Sequence, residues 1–144
     1  MTGTGSDAAQ EESGGRMSRR CMLLEEIPAE MDAPGRGAGH LPIMQFIKDW
    51  NNQPESRARM LADALPAGTD TGTAAKIAAV VHALCERDAH PLPGWIDAAV
   101  ASEDVALVGA VDLATPYGQD VRAGAPAPCR HHRVYFSTKT LYST

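Results

Sequence analysis

The sequence predicts a mainly helical domain, and three observations carry that expectation. Apolar residues recur at helical spacing in two stretches, 41–52 and 72–88. Ten prolines and 13 glycines punctuate the remainder, which implies a large irregular fraction. Only 5% of residues are aromatic, so Ala, Leu, Val, Ile and Met must build the core. A length of 144 residues suits one domain with tails.

Residues 1–20 hold no large apolar side chain except two methionines and read as a disordered N-terminal tail. Leu23, Leu24 and Ile27 give residues 21–33 a weak helical pattern that Pro28 keeps short. Residues 34–40, PGRGAGH, read as a linker. The expected division is therefore tail and linker over 1–40 and a helical domain over 41–144.

Pro42 suits a first helical turn, and Ile43, Phe46, Ile47 and Trp50 form the apolar stripe of the helix that follows. Pro54-Glu55-Ser56 opens a second helix, with Ala58, Met60, Leu61, Ala64 and Leu65 on its buried side. Residues 66–70 form a loop. The central helix spans 72–88, capped by Thr71 or Thr73, with Ala74, Ile77, Val80, Val81, Leu84 and Cys85 on one face. Its many alanines allow neighbours to approach closely. A short helix is expected around Trp95–Ser102; residues 105–113 suit helix or strand, with a short helix kinked at its glycine preferred in a helical context. Val134, Tyr135 and Phe136 form a short extended segment. Ser137 then caps a last turn that places Leu141 and Tyr142 against the core.

The net charge of −5 is unevenly spread. Residues 121–144 carry Arg122, Arg130, Arg133 and Lys139 and no acid, a charge of +4. The first 120 residues hold the other nine cations and all 18 acids, a charge of −9. No apolar run approaches the roughly 18 residues a membrane-spanning helix needs. The N-terminus lacks a secretory apolar region. Three unevenly spaced cysteines suit reduced thiols in a cytoplasmic protein.

Chemistry is sparse. No G-x-S-x-G elbow, Walker loop or G-x-G-x-x-G fingerprint occurs. The pairs Glu11-Glu12, Glu25-Glu26 and Glu103-Asp104 are adjacent in sequence, and neighbours on a helix do not face each other. The sharpest chemical option is a zinc site. His82 and Cys85 are three apart on the central helix, and Cys129 and His131 lie together near the C-terminus; the four would make a Cys₂His₂ set if the two segments met. Cys129 is also a candidate nucleophile, because Arg130, His131 and Arg133 beside it would favour thiolate. Arg130, Arg133, Tyr135 and Phe136 are candidate partner contacts, with a protein favoured over nucleic acid because the acidic body opposes the latter. Trp50 and Trp95 read as core or interface anchors.

Further residues carry a resemblance. They are Trp50 and Pro54, Arg57…Met60-Leu61…Pro66, the turn at Gly68–Gly72, and Ala74-Ala75 at the head of the central helix. Pro91-Leu92-Pro93-x-Trp95 follows, then Ala125-Pro126-Ala127…Arg130…Arg133-Val134-Tyr135-Phe136…Leu141. This pattern resembles small actinobacterial proteins similar to the C-terminal segments of helix-turn-helix, antitoxin-like regulators. Residues 1–40 contain no helix-turn-helix. The resemblance implies a helical fold and a regulatory accessory role, and brings no set of catalytic residues. The sequence thus points to a non-enzymatic protein-interaction module. A zinc-binding or thiol-dependent enzyme and a nucleic-acid binder are the alternatives.

Overall fold

The computed structural model describes residues 20–32 and 40–144 and is mainly helical. The disorder and linker expected for residues 1–19 and 34–39 lie outside the described residues. Among the described residues six α-helices occur: α1 (Ile27–Asp32), α2 (Leu41–Asn52), α3 (Arg57–Met60), α4 (Thr71–Asp88), α5 (Pro116–Ala123) and α6 (Pro128–His132). Two short strands, β1 (Val105–Ala106) and β2 (Val134–Tyr135), pair in parallel with Val105 opposite Val134.

α4 is the hub. Nine of its residues, from Ala75 to Cys85, are buried, so it is apolar nearly all round. It touches α2, α6, β2 and the 3₁₀ turns at Ile96–Ala98 and Thr138–Tyr142. Four of the buried residues are alanines, which lets these neighbours approach its backbone. The cap differs from expectation: Asp70, not Thr71 or Thr73, accepts from the Thr73 amide at 3.1 Å. The helix ends where Ala89 turns left-handed at φ 55° and its chain returns an N–H to the Cys85 carbonyl.

α2 buries Ile43, Phe46, Ile47 and Trp50, as the stripe predicts. The Trp50 indole donates to Asp88 at 2.7 Å, which satisfies its one polar atom. The domain boundary moves outward from Leu41. Cys21, Leu24 and Ile27 lie in the same core as α2, and the Met22 amide donates to Asp49 at 2.8 Å.

Three local expectations fail for identifiable reasons. The helix opened by Pro54 stops at Met60, leaving Ala58 and Ala64 exposed; Met60 and Leu61 are buried, and Leu65 packs partly against the core from the loop that follows. The stretch after Trp95 makes a single 3₁₀ turn, because the Ala99 carbonyl and Ala101 amide bond to His132 instead of to a helix. Residues 105–113 are not helical. The Val105 and Leu107 amides donate to the Arg133 and Tyr135 carbonyls, which would otherwise lack partners in the core. Ser137 caps the last turn by accepting from the Lys139 amide, and Leu141 is buried. Tyr142 does not reach the core: it is exposed, beneath the Arg87 guanidinium.

Gly118 in α5 packs against the preceding loop. A Cβ there would overlap the Asp112 carbonyl and sit 2.6 Å from Leu113 Cα, whereas Gly94 faces open space. Gly118→Ala should therefore cost about 1–3 kcal/mol by overpacking. Gly94→Ala should leave the urea midpoint unchanged, and denaturation of both variants checks the contrast.

Candidate functional site

The basic C-terminal segment folds against the acidic body. α6 lies along α4, and the segment 97–105 runs beside its end: the Ala101 amide donates to the His132 carbonyl and the Val105 amide to Arg133. Arg133 ends α6 in the left-handed conformation, φ 63°, which turns the chain into β2.

Three imidazoles meet at this junction. His132 is 0% exposed, and both of its nitrogens are bonded. A carbonyl can only accept, so His132 Nδ1–H donates to Ala99 C=O at 2.6 Å. The bare Nε2 then accepts from His82 Nδ1–H at 2.9 Å. His131 Nε2–H donates to the Asp97 carbonyl at 2.7 Å, with the Asp97 carboxylate 3.3 Å away. The rings of His131 and His132 stand edge to face at 4.7 Å, those of His82 and His132 at 5.1 Å. Burial pushes the His132 pKa down, and the neighbouring imidazoles add to this.

The four residues expected to hold zinc are only partly brought together. His82 and His131 lie with ring centres 6.1 Å apart. Cys85 faces the Pro91 carbonyl at 3.8 Å, and Cys129 is wholly buried with a backbone contact to Phe136. Among the described residues no group of three or more His, Cys, Asp or Glu has the geometry to hold a metal ion.

The thiolate expected at Cys129 is overturned. Burial pushes its thiol up to about 12, and Cys85 to about 11. The basic neighbours do not offset this, because the sulfur points into the core and they point outward. All three cysteines are free and buried.

Of the expected contact residues, Tyr135 and Phe136 are 6% and 3% exposed and belong to the core. Tyr135 lies in β2, both faces of which are covered, and Phe136 follows it directly into the core. Arg133 is held by Asp104 at 2.9 Å and by the Ser102 carbonyl. Arg130 is exposed, and its side chain has no ion pair or hydrogen bond among the described residues.

Asp104 binds a second guanidinium, that of Arg122, at 2.5 Å, and these two bonds hold its carboxyl below the usual carboxylate range. Arg122 also lies over the Tyr135 ring, 4.7 Å from its centre. Between α5, α6 and β2 opens a cleft of about 570 Å³ lined by Leu113, Gln119, Arg122, Ala123, Arg130 and Tyr135. Sequence reading misses α5 and Gln119, and names Arg122 only as one cation of the basic end. The signal was there: Thr115-Pro116 is a cap followed by a first-turn proline, and Gly124 follows the helix. The helix carries too few apolar residues to register by periodicity.

Comparison with protein-family models, curated proteins and solved structures finds no match to this chain. No helix among the described residues is long and apolar enough to cross a membrane.

Two outcomes follow. In the unfolded chain His132 titrates near its ordinary 6.5; the folded protein resists that proton. The histidine's contribution is therefore complete above pH 6.5 and is lost as pH falls below it. Asp88 and Asp104, held below their ordinary 3.8, keep their contributions across this window. The urea midpoint should drop between about pH 8 and about pH 5.5. His132→Asn, whose amide can still donate to Ala99, should shrink that drop. Separately, Cys129 should resist iodoacetamide in the native protein and react on unfolding, as mass spectrometry of the labelled peptide would show.

Proposed function

We propose that this chain is a non-enzymatic, cytoplasmic protein-interaction module, a regulatory accessory of the antitoxin-like kind, that docks an acidic surface of a partner protein through its basic C-terminal segment. The observation that carries this reading is Arg130. It is an exposed cation with no counter-charge among the described residues, on a chain whose charge is otherwise acidic. Unpaired surface charge of one sign steers a partner of the other sign and sets orientation on docking.

The neighbouring surface supports a protein partner. Val100 lies between Ala99 and Ala101, both bonded to His132, and is turned outward beside α6 at 36% exposure. Arg133 and His131 keep part of their side chains in solvent next to it. An apolar residue beside polar side chains suits a protein interface, where a polar rim surrounds apolar contacts. Nucleic acid is less well served: Asp104 already neutralises part of the charge on Arg122 and Arg133, which leaves few cations for phosphates.

Affinity purification of the tagged chain from its native host tests the reading. A stoichiometric protein partner should be recovered, and recovery should fall about tenfold with Arg130→Glu, a loss typical of reversing a rim charge beside an acidic patch. Recovery of no stoichiometric protein, or equal recovery with Arg130→Glu, overturns it. Arg130 makes no contact the fold needs, so the variant tests docking and not stability.

A further inference from the structure

The cleft between α5, α6 and β2 has features that docking does not use. We infer that it is a binding site for a small organic dianion, a dicarboxylate or a phosphomonoester, held between the guanidinium groups of Arg122 and Arg130. This goes beyond the docking reading, since the purified chain alone suffices to test it.

Size comes first. About 570 Å³ falls among the volumes of small-molecule sites, which are clefts with apolar walls and a few converging polar groups. Leu113 and Ala123 supply apolar wall, and Gln119 and Tyr135 line the cleft with the two arginines. Gln119, Arg122 and Ala123 share one face of α5, being three and four positions apart. Asp120, the acid of that helix, is not among the residues that line the cleft.

Charge sets the class of ligand. The cleft is lined by two cations, Arg122 and Arg130, and by no acid, a charge of +2. Asp104, which Arg122 shares with Arg133, is not among the lining residues, and Arg130 has no counter-ion among the described residues. A dianion matches that excess. Planar guanidinium forks fit carboxylate and phosphate oxygens in pairs.

Preorganisation is the third element. Arg122 is fixed on one side by Asp104 at 2.5 Å and on the other by the Tyr135 ring at 4.7 Å. A charged group already held in place loses less freedom on binding. Arg130 lines the same cleft from a second helix, α6.

Backbone amide NMR of the purified full chain tests the inference, with titrations of inorganic phosphate and of succinate near neutral pH, against sodium chloride at matched ionic strength. Saturable shifts confined to residues 113, 119, 122, 123, 130 and 135 are expected. Arg130→Gln should weaken binding about tenfold, the loss of one charge-assisted contact. Arg122→Gln should weaken it too, with rescue in Arg122→Lys only partial because Lys cannot fork. Saturation by phosphate alone identifies a phosphomonoester site, by succinate alone a dicarboxylate site, and by both a site selecting on charge. No saturable shift with either anion, shifts reproduced by chloride, or affinity unchanged in Arg130→Gln would overturn the proposal. Failure of partner recovery leaves these titrations unaffected, so the two readings are separable.

Discussion

A buried imidazole has two ring nitrogens, and the protein must bond both of them or lose stability. His132 is wholly buried, and its bonds run to two different parts of the chain: the Ala99 carbonyl and the His82 ring on α4. The two contacts fix where α6 sits and hold segment 97–101 beside it. The rest follows in sequence. With α6 in place, Arg133 turns the chain left-handed and β2 enters the core. β2 then offers the carbonyls that draw β1 into an extended pair. The arginines at both ends of this unit converge on Asp104.

The helices that pack on one another through a continuous apolar stripe were readable from residue order. α2 and α4 announce themselves by periodicity, and the alanines of α4 state in advance that neighbours would come close. Elements held by single polar bonds were not readable. Nothing in the local sequence around Ala99 says that its carbonyl is reserved for a histidine 33 residues away. The same holds for the 105–113 stretch, whose composition suits helix or strand equally and whose form is decided by Arg133 and Tyr135. Charge told a similar story. The basic end was visible as a sum, but the pairing that leaves Arg130 alone depends on Asp104 lying between Arg122 and Arg133.

The contact residues illustrate why residue type is a poor guide to exposure. Tyr135 and Phe136 follow two arginines and read as surface aromatics, yet the strand that holds Tyr135 is buried on both faces, and Phe136 just after it packs into the core. Tyr117 and Tyr142, which drew no attention as contacts, are the exposed rings. Cys129 shows the same principle in reverse. Basic neighbours lower a thiol pKa only where the sulfur shares their solvent, and here the core raises it.

The two-residue parallel bridge has a consequence for how the chain is made. Its strands lie 29 positions apart in register, and Cys129, Val134, Phe136 and Leu141 all fill the core around α4. A ribosome releases the N-terminal helices first. They emerge with one side of their apolar surface uncovered, and the segment that covers it follows later in the chain. Completion of the core around α4 thus waits for residues 129–141. Until it occurs, α4 presents to the cell the same alanine-rich surface that its own C-terminal segment will later occupy.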